Sequence, residues 1–267
     1  MEVNENSASV RIYALGGLEI TGGLFLRYRR RVRSFAAQQL LMGLVAAGAR
    51  GFAAAMLCEA LWPESSGGEA FHALIATANR LRLALHCHGA LTFGAGRVAL
   101  SPARCWVDAW AFEQAVLNPF AAGDEVPEGD LLNALSMYRG PLFGEVDSPL
   151  ALDTRDRLRR LFASASLAAG RRLLRSGDVA GAIHLYERCL GAEGAHEELY
   201  RALILAQARS GHTLAAAESF ERCRQALWHR FGTAPSRATE RALNESCSPQ
   251  AGSGEGRDAL AAYSATP

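Results

Sequence analysis

Two segments in the second half of the chain repeat each other at a distance of 34 residues. The first reads RSGDVAGAIHLYERC from Arg175, and the second reads RSGHTLAAAESFERC from Arg209. Glycine suits a turn between two helices, alanine suits their closest contact, and an aromatic ring fills the gap between them. These residue types fall at matching positions in both copies, so the repeat restricts this region to antiparallel helix pairs.

A period of 34 residues with this pattern is the tetratricopeptide signature. The matched Cys189 and Cys223 are then interpreted as small buried residues. Apolar spacing and turn signals predict further helices near 108–118, 129–138, 150–176 and 235–245. The segment 247–267 is rich in Ser, Gly and Ala and is predicted to be disordered.

The residue types present argue against an enzyme. All 28 basic residues are arginine, and a phosphate loop or a Schiff-base site would need a lysine. The six cysteines form no CxxC pair, and the adjacent His86, Cys87 and His88 cannot all face one ion from a regular helix. We find no catalytic motif, so we expect no catalytic residue, cofactor or metal.

The start of the chain lacks a signal peptide pattern, and no apolar run is long enough to span a bilayer, which predicts a cytoplasmic protein without a membrane partner.

Charge is distributed unevenly along the chain. Residues 1–106 hold eleven Arg and six Glu, for a net charge of +5, whereas the remainder has a net charge of −4. A basic first half indicates contact with a polyanion, although an uneven but merely solvated surface is the alternative.

The run RYRRRVR follows a third strand predicted at 24–28. If the strand continues, one face carries Arg27, Arg29, Arg31 and Arg33, which could meet phosphates or form a solvated edge.

The first half also predicts three helices after an opening sheet. Ser34 is placed to cap the first helix, and a short second helix is expected over 53–62. Ser66 and Glu69 form the capping box that begins the third. Its apolar spacing predicts an inward face made of Phe71, Leu74, Ala78, Leu81 and Leu85. The predicted outward face then consists of Ala73, Ala76, Thr77 and Arg80, flanked by His72, Asn79 and Arg82.

A small hairpin is predicted directly after the third helix. Gly94, Ala95 and Gly96 form its turn, and the buried alternation is expected at Leu91, Phe93, Val98 and Leu100. Arg97 would stand at the tip of this flap, in a position to enter a minor groove. A slim, acid-free helix beside a basic flap is typical of a winged helix that reads DNA.

Three motifs carry a family resemblance: LCEALWP at 57–63, ANRLRLAL at 78–85 and CWVDAWAFE at 105–113. Together with the repeat, they resemble the Streptomyces antibiotic regulatory proteins (SARPs), which join a response-regulator-type winged helix to a bacterial transcriptional activator domain. The resemblance spans residues 9–245 and implies an α+β winged helix-turn-helix domain at 1–106 and an all-α tetratricopeptide-like domain at 107–246. Larger relatives carry an ATPase domain after this point, and we expect neither that domain nor a preceding receiver domain here.

The sequence thus predicts a DNA-binding transcriptional activator that contacts RNA polymerase through or beside its helical domain and binds DNA as a homodimer. Thr77 and Arg80 would address the major groove, with Ala76 allowing close approach. Asn79 and Arg82 would lie near bases or backbone, Arg97 in the minor groove, and Arg31 and Arg33 near phosphates. An adaptor that grips a peptide, or a small-molecule sensor in the helical groove, remain the alternatives.

Overall fold

The computed structural model describes residues 9–22, 32–121 and 128–247. The elements up to residue 107 are, in chain order, strands β1 (Val10–Tyr13) and β2 (Glu19–Gly22), helix α1 (Phe35–Ala47), strand β3 (Phe52–Ala53), helices α2 (Ala54–Leu61) and α3 (Gly67–Ala84), and strands β4 (Leu91–Gly94), β5 (Arg97–Leu100) and β6 (Cys105–Val107). The strand predicted at 24–28 lies outside the described residues.

The first sheet is built around β1, which pairs antiparallel with β2 and parallel with β6. Val10 and Ile12 are fully buried while the alternate residues of β1 are half-buried, as the two-residue period of a strand requires. Strand β6 leads directly into the next helix, so Asp108 lies beside the end of β1. Its carboxylate accepts hydrogen bonds from the backbone amides of Ala14 (2.7 Å) and Leu15 (3.2 Å).

The second sheet contains the predicted hairpin, with the strand order β3-β5-β4. Ala95 and Gly96 both have positive φ, 48° and 70°, which is the geometry of a two-residue turn that matches strand twist. Leu91, Val98 and Leu100 are buried as predicted. Phe93 was predicted to be buried with them, but it is 38% exposed because it lies close to the tip of the hairpin, beyond the core.

The helices of the first half begin where the sequence predicts. The Ser34 hydroxyl accepts a hydrogen bond from the Ala37 amide at the start of α1. Both bonds of the capping box between Ser66 and Glu69 are present at the start of α3. Helix α3 packs against α1 and α2, which is the three-helix arrangement of a helix-turn-helix domain.

The rest of the described chain is helical. Its elements are α4 (Asp108–Ala121), α5 (Glu128–Met137), α6 (Leu152–Arg175), α7 (Val179–Ala192), α8 (Glu197–Arg209), α9 (Thr213–Phe231) and α10 (Arg237–Cys247). The two sequence copies form the turns and second helices of the pairs α6–α7 and α8–α9. The predicted fold class, a winged helix followed by a tetratricopeptide-like helical domain, is confirmed.

The two helix pairs, α6–α7 and α8–α9, pack together through different residues. In the first pair, Gly170 leaves room for Tyr186: a Cβ on this glycine would lie 2.2 Å from the tyrosine hydroxyl. In the second, Phe220 packs against buried Ile204 and Ala216. In the first pair the small residue on α6 thus makes room for the large ring on α7, whereas in the second pair Ile204 of α8 packs against the smaller ring of Phe220. Cys189 and Cys223 are buried, as predicted.

By packing, the chain divides into one compact unit that ends at Gly194 and a second that begins at Ala195. The first unit includes the winged helix together with α4–α7. Contacts cross the predicted boundary at residue 106: the Trp110 indole donates to the Val45 carbonyl (2.8 Å), and the Thr154 hydroxyl donates to the Ala46 carbonyl (3.1 Å). The boundaries at residues 106 and 246 therefore stay predictions, and residues 248–267 lie outside the described part of the chain.

Candidate nucleic-acid interface

Helix α3 has one buried and one exposed face. The buried face consists of Ala70, Leu74, Thr77, Ala78 and Leu81. The exposed residues of the helix beyond its first turn are Phe71, His72, Ala76, Asn79, Arg80 and Leu83. Most of the exposed residues follow one another at steps of three or four and so form a continuous stripe. We call His72, Ala76, Asn79, Arg80 and Leu83 the outer face of α3.

The predicted orientation of α3 is wrong at two residues. Thr77 was assigned to the outer face, but it is only 2% exposed. It lies three residues after Leu74 and four before Leu81, so it shares their side of the helix. Phe71 was assigned to the inner face, yet it is 47% exposed. The prediction followed the large apolar residues, whereas helix geometry places the small threonine inward and Phe71 at the margin of the buried face.

Arg80 is exposed on the outer face. Its guanidinium forms no hydrogen bond or ion pair with any residue of ranges 9–22, 32–121 and 128–247. Five N–H donors are therefore available to an outside partner, in the fork that matches a guanine edge or a phosphate. Leu83, which the sequence interpretation did not name, completes the same stripe, and its position four residues after Asn79 could have revealed it.

Arg82 does not project freely from the helix. Its Nη1 donates to Asn79 Oδ1 (3.0 Å), and its Nη2 donates to the Leu91 carbonyl of β4 (3.2 Å). The guanidinium also stacks over the Phe93 ring, 5.0 Å from its centroid. Arg82 therefore joins the outer face of α3 to the hairpin, and the partly exposed Phe93 ring packs against its guanidinium.

Arg97 is also engaged within the protein. Its Nε donates to the Arg50 carbonyl (2.9 Å), and its Nη2 donates to the Gly51 carbonyl (2.6 Å). These bonds fasten the hairpin to the segment before α2. The residue is exposed, but the predicted free arginine at the flap tip is instead turned back onto the backbone, with Nη1 as its remaining donor group.

The chain after the first turn of α3 is free of acidic residues as far as the end of β6. No Asp or Glu occurs between Ala70 and Val107. Arg33, Arg50 and Arg104 are exposed in the same domain, whereas Arg29 and Arg31 lie outside the described residues. Glu69, just before this stretch, is occupied by the capping box: hydrogen bonds from Ser66 lower the pKa of its carboxyl, so it stays ionised at the positive end of α3.

Two cysteines of the described chain are buried in surroundings that suppress the reactivity of their thiols. Burial raises the pKa of the Cys105 and Cys223 thiols to about 12, which removes their nucleophilic character.

The described residues contain no cluster of three metal-ligating side chains. None of the described helices is both long and apolar enough to cross a membrane. A cavity of about 310 Å³ lies in the first unit, lined among others by Arg139, Phe162 and Arg188.

The chain was compared with known proteins. The family model described as "bacterial transcriptional activator domain" matches residues 107–246. No curated protein matches the sequence. Among solved structures, Mycobacterium tuberculosis EmbR, determined in complex with a low-affinity phosphopeptide, matches with a TM-score of 0.63 and 21% identity over 89% of this chain. This chain spans 65% of the length of that EmbR chain.

The EmbR likeness shows the fold, and the family model covers more than half of the chain and shows the family. The family model also begins at residue 107, where β6 ends and α4 begins. The chain therefore belongs to the bacterial transcriptional activator domain family.

Proposed function

We propose that the chain binds double-stranded DNA sequence-specifically through the outer face of α3 and activates transcription from that site. The observation that carries the proposal is the exposed Arg80, which has no partner in the described chain, on a helix face free of acid. The slim neighbour Ala76 allows the helix to approach a major groove closely. Arg82 fixes the hairpin beside this face, so the protein presents a preformed surface.

The contacts revise the predicted roles of individual residues. Thr77 lies in the core, so we do not assign it a base contact. Arg97 acts chiefly to hold the hairpin, with its Nη1 left for a phosphate or the minor groove. Arg33 and Arg50 are exposed and are proposed as phosphate contacts that position the duplex.

Recruitment of RNA polymerase by the helical domain and binding as a homodimer to paired half-sites belong to the same proposal. Their support is the family membership and the limited contact area that one winged helix offers to a duplex. Transcription from a template bearing the selected site, with purified bacterial RNA polymerase, should rise when the protein is added. With Arg80→Ala, the same stimulation should require a higher protein concentration.

The direct experiment is a titration of the full chain with fluorescent duplex DNA. Wild type should bind at low salt, and log K should fall linearly with log salt because phosphate contacts release counterions. Arg80→Ala should weaken binding to the selected duplex by about 1–3 kcal/mol and reduce discrimination against random duplex. The matched control is Arg171→Ala, an exposed arginine on α6, which should bind like wild type.

Two outcomes would overturn the proposal. One is a wild-type protein that binds no duplex at any salt concentration, which would favour the adaptor function instead. The other is equal binding by Arg80→Ala and wild type, which would place the contact away from α3.

A second candidate function, sensing of a small organic anion, is favoured by the cavity in the first unit. Its volume of about 310 Å³ lies at the lower end of ligand pockets, and its lining includes two arginines, Arg139 and Arg188, and two aromatic residues, Tyr138 and Phe162. An aromatic carboxylate has the matching chemistry. A rise in melting temperature with salicylate, lost in Arg188→Ala, would support this function, and no rise in wild type would contradict it.

A further inference from the structure

The amide of Asn79 has a fixed orientation. Asn79 is exposed on the outer face of α3, and its side chain lies 3.0 Å from Arg82 Nη1. A guanidinium only donates hydrogen bonds, so the amide atom facing it must be the oxygen. The Nδ2 group, with two hydrogens to donate, is therefore turned away from Arg82.

Arg82 is itself held on a second side, by the hairpin. Its Nη2 donates to the Leu91 carbonyl, and its guanidinium lies over the Phe93 ring. These contacts come from β4, so the hairpin determines where the Arg82 cation lies and hence which way the Asn79 amide points. Arg82 is a positioning residue in this arrangement, and Asn79 is the residue that faces outward.

This orientation changes what Asn79 can read in a major groove. Asparagine ordinarily pairs with adenine, because its oxygen accepts from N6 while its nitrogen donates to N7. Here the oxygen already accepts from a cation. An adenine amino group approaching the same oxygen would also approach the positive guanidinium, which opposes it electrostatically.

Guanine avoids this conflict because its major-groove edge presents two acceptors, N7 and O6. Thymine presents one acceptor beside a methyl group, so it offers less to an amide with two hydrogens to donate. We infer that Asn79 selects guanine over adenine in the bound site, and that Arg82, set by the hairpin, imposes this choice. The inference rests on the proposed DNA-binding function. The neighbouring Arg80 is also a pure donor, so both side chains favour acceptor-rich base edges.

Selection of binding sites from a random duplex library tests the inference. The full chain and Asn79→Ala are selected in parallel, and the base pair whose preference is lost in the variant is the one that Asn79 reads. Wild type should enrich guanine at this position over adenine by roughly tenfold. Arg82→Met keeps the aliphatic stem and removes the donors, so the freed amide should shift the preference towards adenine.

Two further variants complete the design. Asn79→Asp has no donor group and should lose the guanine preference at that position while other positions are retained. Because Asn79 is exposed, this variant decides the question even if Arg82→Met does not fold. The matched control Arg104→Met removes another exposed arginine of the domain and should leave the preference unchanged.

The inference is overturned if wild type enriches adenine at the position read by Asn79. It is also overturned if guanine persists in Asn79→Asp, or if Arg82→Met folds and keeps the guanine preference. These results differ from failure of the proposed function, in which wild type enriches no sequence and binds no duplex.

Discussion

The outer face of α3 and the junction of α5, α6 and α7, where Tyr138, Arg159 and Glu193 meet, use arginine in opposite ways. At the junction, Glu193 accepts from the Tyr138 hydroxyl (2.6 Å) and pairs with Arg159 (2.8 Å); Glu193 and Tyr138 are buried and Arg159 is partly buried. On α3, Arg80 is exposed and has no such partner in the described chain. Arg159 helps to hold the helices together at the junction, whereas Arg80 on α3 is available to bind.

The difference separates two kinds of mutational effect. A buried polar group that loses its partner keeps its desolvation cost, so changes at the junction should lower stability. An exposed side chain without a partner contributes little to stability, so changes on the outer face should alter binding alone. The following variants test this separation, beginning with the largest expected effect.

Glu193→Ala should have the largest effect. It leaves Arg159 and the Tyr138 hydroxyl without their common acceptor, so the free energy of unfolding should fall by about 3–5 kcal/mol in chemical denaturation. The control is Glu198→Ala, whose carboxylate is largely exposed and pairs with Arg201 at 3.9 Å, where a loss below about 0.5 kcal/mol is expected. Equal losses in the two variants would contradict the structural role of the junction.

Arg80→Ala should lower the affinity for DNA while leaving the stability of the fold nearly unchanged. Binding to the selected duplex should weaken by about 1–3 kcal/mol, while the free energy of unfolding changes by less than about 0.5 kcal/mol. Fluorescence anisotropy and denaturation on the same preparation measure both quantities. A stability loss as large as the affinity loss would mean that Arg80 has an internal role and would remove the contrast between the two regions.

Arg97→Ala should lower both the stability of the fold and the affinity for DNA, each by a moderate amount. The side chain bonds the carbonyls of Arg50 and Gly51, so its loss should cost about 1 kcal/mol of stability. Affinity for the duplex should fall less than in Arg80→Ala because only one donor group remains free. An affinity loss without any stability loss would show that Arg97 serves DNA rather than the hairpin.

The smallest effect is expected at Asp108, as a change in how the free energy of unfolding depends on pH. Burial raises the pKa of its carboxyl above the ordinary 3.8, against the opposing hydrogen bonds from Ala14 and Leu15. The folded state therefore holds this proton more tightly than the unfolded chain, and the stability from this group falls as pH rises from 3.8 through the folded pKa. Over that window, Asp108→Asn should gain stability with rising pH more steeply than wild type. Parallel curves would contradict the raised pKa.

Local signals in the sequence predicted much of the fold. The helix pairs follow from the 34-residue repeat, the start of α3 follows from Ser66 and Glu69, and the hairpin turn follows from Gly94 to Gly96. Each of these depends on residues close together in the chain, where backbone conformation and capping decide the outcome. The family resemblance rested on motifs of the same local kind.

The details of the interface could not be predicted in this way. The partners of Arg82 and Arg97 are backbone carbonyls that the fold brings near, and a carbonyl at Leu91 or Gly51 leaves no mark in the side-chain pattern. Thr77 was misplaced because one polar residue within an apolar stripe is ambiguous until the helices on either side are known. Glu193 was not singled out, since its partner Tyr138 lies 55 residues away in the chain.

Amide chemical shifts of the isotope-labelled full chain, followed during titration with the selected duplex, test the central claim most directly. The largest changes should map to the outer face of α3 and to the hairpin residues near Phe93, and those at the buried Tyr138 and Glu193 should be small. Changes concentrated on α6 and α7, or no change at saturating duplex, would contradict the assignment of DNA binding to α3.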